Sequence, residues 1–188
     1  VKEVINRGNI RDIKAYIKVI PFNFRDRNKR SLLHMAVDSF NIDVVQAVLD
    51  AYYDKAEEIV KQHHQVSFLT QRYEQEADHL YHAWLNAEDK KHMTALARMI
   101  DDFDADRMSV SAMARNQDII YAIIHAASLA SRFYPGKAIA NASKTYLLGL
   151  AMAKRNYAAA AMIMNPDVAD CLILDIRKKC QQFWQECV

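Results

Sequence analysis

The sequence predicts an all-α protein, and three features of its composition support this prediction. Apolar residues make up 52% of the 188 residues and charged residues 26%, a balance typical of a chain that buries a core. Gly and Pro number three each, which leaves little material for the tight turns of β-hairpins and sandwiches. Long stretches are instead rich in Ala, Leu, Ile, Met, Lys, Gln and Glu, which lose little conformational entropy in a helix.

The clearest helix start is "SLLHMAV" at residues 31–37. Ser31 is placed to cap this helix, because its hydroxyl can accept a hydrogen bond from a free N–H of the first turn. The apolar residues of the segment form one stripe at helical spacing: Leu32, Leu33, Ala36 and Val37. His34 lies beside that stripe with no nucleophile or metal partner next to it. We therefore expect its ring to bond to nearby backbone or to the Ser31 hydroxyl.

Residues 22–51, "FNFRDRNKRSLLHMAVDSFNIDVVQAVLDA", resemble the ankyrin repeat, which consists of a tight turn and two antiparallel helices. The matching positions are Asn23 and Asp26 in the turn, Ser31, Leu33, His34 and Ala36 in the T-P-L-H-x-A signature, and Val44, Val45, Val48 and Leu49 in the second helix. Leu32 replaces the signature proline. Lys29 and Phe40 replace two glycines, so the resemblance implies a positive φ at both, which costs a non-glycine residue energy.

The resemblance extends in weaker form to other parts of the chain. Residues 9–17 parallel residues 41–49, and Gly8 takes the place of the glycine between the two helices, so the chain is expected to begin inside a repeat of a longer protein. Residues 147–164 follow residues 32–49 without a gap, with Gly149 in place of the histidine. Like residues 115–124 and 80–100, this segment shares only the apolar spacing, which any stacked helix pair would show.

We expect one domain over residues 1–188, an α-solenoid of ankyrin-like stacked helix pairs. Its parts are repeats over 1–51, an inserted long-helix region over 52–79, degenerate helix pairs over 80–164 and a C-terminal helix over 165–188. Asn165 and Pro166 are typical of a helix start. The apolar face of the last helix carries Ile173, Ile176, Cys180, Phe183 and Cys187. This helix is expected either to cap the stack or to dock onto another part of the protein.

The resemblance implies a protein-binding module without catalytic activity or cofactor. The residues it places at the binding surface are Arg25, Arg27, Asn28, Arg30, Asp38 and Ser39. The basic residues of this turn favour a protein with an acidic surface over nucleic acid. Other domains of the same chain are an alternative partner. Ankyrin-type units also occur in effectors that intracellular bacteria deliver to host cells, and degenerate repeats fit that setting.

A competing hypothesis is a helical metal-binding protein or enzyme that uses Glu76, His79, Asp89 and His92. A carboxylate and a histidine three residues apart share one face of a helix, as in di-iron bundle proteins. Such a site needs two further Glu residues that the sequence does not select, so we expect a solvated polar face instead. A third hypothesis is that this fragment supports a catalytic region elsewhere in the full chain.

The cysteines favour an intracellular location. Cys171, Cys180 and Cys187 are spaced too far apart within one helix to form a disulfide, so we expect reduced thiols. This indicates the cytoplasm, or the host cytosol for a delivered effector. No apolar run approaches the roughly 18 residues of a membrane helix, so we expect neither a membrane span nor a signal peptide. A formal charge of +2 is too small to indicate nucleic acid.

Overall fold

The computed structural model describes residues 2–21, 23–63, 80, 83–130 and 141–164. Within these ranges the chain forms helices joined by turns, with no β-strand, which confirms the all-α prediction. Eight helices are labelled here: α1 (Lys2–Arg7), α2 (Ile10–Val19), α3 (Leu32–Asp38), α4 (Ile42–His63), α5 (Ala95–Asp101), α6 (Val110–Ala130), α7 (Asn141–Ala153) and α8 (Tyr157–Met164). Residues 80 and 83–85 are also helical.

The eight helices pack as four consecutive pairs in two layers. Each odd-numbered helix packs against the helix that follows it. The odd-numbered helices also contact one another in succession, from α1 to α7, and the even-numbered helices do the same from α2 to α8. The core lies between the layers and contains fully buried side chains from both, among them Leu33, Val44, Ile100 and Ile119. Every pair thus buries its apolar side chains partly against its neighbours.

A polar side chain caps the start of six of these helices, because it accepts hydrogen bonds from N–H groups that have no partner within the first turn. The six caps are Asn9 Oδ1 to the Arg11 and Asp12 N–H groups, Ser31 Oγ to the His34 N–H, Asn41 Oδ1 to the Asp43 N–H, Thr94 Oγ1 to the Ala97 N–H, Ser109 Oγ to the Ala112 N–H, and Asn156 Oδ1 to the Ala159 N–H. The caps at Ser31 and Thr94 begin α3 and α5, which occupy equivalent places in their pairs.

The turn between the two helices of a pair has the same form in three of the four pairs. A residue with positive φ precedes an asparagine: Gly8 (φ 66°), Phe40 (φ 52°) and Arg155 (φ 56°) come before Asn9, Asn41 and Asn156. The turn expected at Phe40 therefore forms without glycine, at a cost of roughly 1–2 kcal/mol for the left-handed backbone. In the remaining pair, residues 102–109 form a longer connection.

Some predicted segments can be compared with the structure, and others lie outside its described residues. Residues 52–63, assigned to the insertion, continue α4. In the unit expected over 80–100, residues 83–85 are helical and 86–94 form turns before α5. Residues 64–79 of the insertion, the C-terminal helix expected over 165–188 and all three cysteines lie outside the described residues.

Candidate functional site

The turn before α3 is organised around Asp26. Its Oδ1 accepts hydrogen bonds from the backbone N–H groups of Asn28 (2.8 Å) and Arg30 (2.9 Å). The turn closes through the Lys29 N–H, which donates to the Asp26 carbonyl at 2.9 Å, and Lys29 takes the positive φ (58°) that the resemblance implies. Burial raises the pKa of Asp26, but hydrogen bonds from Arg30 and the backbone outweigh it and hold the pKa below its usual value.

The turn before α5 repeats this construction. Asp89 Oδ1 accepts hydrogen bonds from the N–H groups of Lys91 (2.7 Å) and Met93 (3.2 Å). His92 takes the positive φ (58°), and its N–H donates to the Asp89 carbonyl at 3.1 Å. In both turns an aspartate lies five residues before the capping hydroxyl residue, which is Thr94 here. The two turns are therefore copies of one structural unit.

His34 joins the two turns. Its Nε2 donates to the Met93 carbonyl at 2.9 Å, and its Nδ1 accepts from the Ser31 N–H (3.2 Å) and the Ser31 hydroxyl (2.8 Å). The ring is therefore neutral with its proton on Nε2, and its complete burial lowers the pKa of His34 although the bond to Met93 acts in the opposite direction. This confirms the expected role for His34. A second link runs from the Lys90 N–H to the Asn28 carbonyl at 3.0 Å.

A chain of ion pairs holds the same two turns to α3 and α5. Arg30 contacts Asp26 at 2.7 Å and Asp38 at 2.8 Å, and Arg98 contacts Asp38 at 3.0 Å and Asp89 at 3.8 Å. The side chains of Arg30 and Arg98 are only 18% and 25% exposed, so the pairs are screened less than surface pairs. The carboxylates of both turns are directed inward as a result.

The exposed side of the two turns is basic. Arg27, Lys29, Lys90 and Lys91 are all exposed, and we call these four residues the basic edge. Within the described part of the chain, no carboxylate forms an ion pair with any of them. Because Asn28 and Lys90 are joined through their backbones, the two halves of the basic edge lie side by side.

The structure places the six sequence-predicted binding residues in two kinds of surroundings. Arg27 and Asn28 are exposed at the tip of the first turn. The others have intramolecular partners: Arg25 donates to the Phe24 carbonyl at 2.8 Å, Arg30 and Asp38 form the ion pairs described above, and Ser39 Oγ donates to the Ala36 carbonyl at 2.6 Å. Their role in binding a partner stays a prediction, and Arg27 is the basic residue among them that a partner can reach most freely.

Sequence reasoning missed Lys90 and Lys91, which contribute half of the basic edge. The signal that reveals them is the shared spacing of Asp26 and Ser31 with Asp89 and Thr94, each followed by a short apolar helix. The apolar spacing used to align the later units does not mark this turn. It gave no reason to compare residues 89–94 with residues 26–31.

The described half of the proposed metal cluster is not arranged for metal binding. The expectation that Asp89 and His92 share a helix face is wrong, because residues 89–92 form a turn. Asp89 accepts backbone hydrogen bonds, while His92 is exposed beside Glu88, with Nδ1 3.3 Å from its Oε2. Glu76 and His79 lie outside the described residues. Among the residues that the structure describes, no three His, Cys, Asp or Glu side chains are grouped to hold a metal ion.

Comparisons with protein-family models, curated proteins and solved structures found no match to this chain. In the described ranges, none of the helices combines the length and apolar character needed to cross a membrane.

Proposed function

We propose that this chain is a protein-binding module, a solenoid of ankyrin-like helix pairs whose basic edge binds a protein with an acidic surface. The observation that carries the proposal is the pair of equivalent turns. They lie side by side, direct their aspartates inward and present Arg27, Lys29, Lys90 and Lys91 outward. The proposed activity is binding, without catalysis and without a cofactor.

The packing of the helices supports a solenoid. In repeat proteins each unit contacts only its neighbours, so contacts run along the chain from one unit to the next. The two layers follow this rule, since α3 contacts α1 and α5, and α4 contacts α2 and α6. The hydrogen bond from His34 to Met93 ties one unit to the following one. Such a stack presents its connecting turns in a row along one edge.

The chemistry of the basic edge favours an acidic protein as the partner. Four cations on two adjoining turns attract carboxylates and speed association with an acidic surface. The turns are already fixed by hydrogen bonds to Asp26 and Asp89, so little backbone freedom is lost when a partner binds. Residues 26–31 and 89–94 contain no Phe, Tyr or Trp, the side chains on which the bases of single-stranded nucleic acid most often stack.

A charge-reversal experiment tests the basic edge. The variant Arg27→Glu/Lys90→Glu places one reversed charge on each turn and leaves Arg30 in its ion pairs. The matched control Arg11→Glu/Lys18→Glu changes the net charge equally at two exposed positions of α2. Both variants should keep the wild-type helicity and melting temperature, because exposed charges contribute little to stability. Each protein is then used to capture partners from cell lysate, with and without nuclease treatment, at low and high salt.

The proposal predicts that wild type and control recover the same acidic proteins at low salt. The edge variant should lose them, and high salt should weaken recovery by wild type because it screens the same charges. Equal recovery by all three proteins would contradict the proposal. Binding that disappears after nuclease treatment would show that the edge binds nucleic acid instead.

A further inference from the structure

A small pocket opens where the turn before α5 meets α7. Its volume is about 60 Å³. The floor consists of four buried apolar side chains: Leu85, Leu96, Ile123 and Leu147. The rim consists of the other five lining residues: Asn86, Glu88, His92, Thr94 and Tyr146. The pocket thus combines an apolar interior with a polar opening, as binding sites for apolar groups usually do.

The contact between α3 and α5 is completed by a histidine ring, whereas the contact between α5 and α7 is not. In the first, His34 bonds to the Met93 carbonyl of the next turn at 2.9 Å. Ala97 holds the equivalent position in α5, three residues after the capping Thr94. Its methyl group is too short to fill the same space or to bond to the following unit.

The unit that follows has a helix where the earlier units have a turn. Leu147 aligns with the first residue of α3, but α7 begins six residues earlier, at Asn141. Tyr146 therefore lies inside a helix at the position where Ser31 and Thr94 cap theirs, and it is 53% exposed. The pocket thus takes the place of the contact that two turns make in the preceding unit.

The size and position of the pocket indicate what it can hold. A volume of about 60 Å³ is far below the roughly 300 Å³ of the smallest usual ligand sites, so the pocket fits one side chain rather than a cofactor. Lys90 and Lys91 of the basic edge lie between Glu88 and His92 in the same turn. The pocket therefore borders the basic edge. Interfaces are commonly anchored by an apolar side chain in such a pocket, surrounded by polar contacts.

We propose that the pocket receives one aliphatic side chain, such as leucine, from the acidic protein that the basic edge binds; this inference rests on the function proposed above. Carboxylates beside that side chain pair with Lys90 and Lys91. Glu88, whose Oε2 lies 3.3 Å from His92 Nδ1, repels a carboxylate placed directly over the pocket. The recognised segment is therefore an aliphatic residue with acidic residues next to it, and not a uniformly acidic run.

A library of random short peptides displayed on phage tests the pocket in the unaltered protein. The library is selected against wild type, and the affinities of the enriched peptides are measured by fluorescence polarisation. Enriched peptides should carry an aliphatic residue with Asp or Glu close to it in sequence. Replacing that aliphatic residue by alanine should weaken binding at least about tenfold, because it removes the apolar surface that fills the pocket.

Variants of the protein locate the contact. Tyr146→Ala removes one wall of the pocket and should weaken binding of the same peptides. The matched control Tyr157→Ala changes an exposed tyrosine of α8 that does not line the pocket, and it should bind like wild type. Arg27→Glu/Lys90→Glu should also lose the peptides, because it reverses charges that their carboxylates contact. Circular dichroism verifies that each variant is folded.

The outcomes separate this proposal from the function on which it rests. Peptides that tolerate alanine in place of the aliphatic residue, but are lost in Arg27→Glu/Lys90→Glu, would refute the pocket and leave the basic edge as the binding surface. Aliphatic peptides that bind this edge variant as tightly as wild type would refute the acidic partner itself. Equal losses in Tyr146→Ala and Tyr157→Ala, or no enriched peptide at all, would also overturn the pocket as a binding site.

Discussion

Replacing His34 by alanine should lower the free energy of unfolding by about 3 kcal/mol. The hydrogen bond from Nε2 to the Met93 carbonyl contributes about 1 kcal/mol. Loss of Nδ1 leaves the N–H of Ser31 without an acceptor in a fully buried site, which costs about 2 kcal/mol more. The cavity left by the ring adds to this sum. The effect is large because one ring serves both the cap of α3 and the link to the next turn.

Urea unfolding followed by far-UV circular dichroism measures this change. The control is His92→Asn, an exposed histidine of the neighbouring turn replaced by a residue that tolerates positive φ. It should change the free energy of unfolding by less than about 0.5 kcal/mol. A loss below about 1 kcal/mol in His34→Ala, at an unchanged urea slope, would refute the role assigned to His34.

Three further predictions follow from the same contacts. Burial lowers the pKa of His34, so below the ordinary histidine pKa of 6.5 the unfolded chain binds more protons than the folded chain. The free energy of unfolding should therefore fall as the pH drops from 7 to 5, by at most about 1.4 kcal/mol per pH unit. In urea titrations, His34→Ala should make the free energy of unfolding less dependent on pH. A double-mutant cycle of Asp38→Ala and Arg98→Ala should give a coupling free energy of about 0.5–1 kcal/mol for the ion pair at 3.0 Å. If the two substitutions have additive effects on the free energy of unfolding, this ion pair contributes nothing to stability. Arg155→Gly should raise the thermal midpoint, because it relieves about 1 kcal/mol of strain from the positive φ at this position. The control Arg11→Gly, inside α2, should lower the midpoint. A lower midpoint in Arg155→Gly would contradict the strain assigned to that turn.

The sequence predicted the all-α class and the local geometry of residues 31–37, because both follow from short-range chemistry. A serine followed three residues later by histidine specifies the cap of α3, and the apolar stripe specifies its buried face. The partner of His34 in the next turn could not be predicted, since it lies 59 residues further along the chain. That contact depends on how two units pack, which the pattern of one unit does not determine.

The basic edge was only half predictable for a related reason. Arg27 belongs to the turn that the ankyrin resemblance marks, whereas Lys90 and Lys91 become neighbours of that turn through the backbone bond from Lys90 to Asn28. The sequence also gave no means to separate Arg27 from Arg30. Only the structure shows that Arg30 is engaged by Asp26 and Asp38, while Arg27 remains exposed.

The most direct test of the binding proposal is a lysine footprint of the captured complex. The protein is treated with an acetylating reagent, free and with its captured partner bound, and the modification of each lysine is measured by mass spectrometry. The proposal predicts that the partner protects Lys29, Lys90 and Lys91, while Lys18, exposed on α2, reacts equally in both states. Protection at Lys18 with unchanged reaction at the three edge lysines would contradict it.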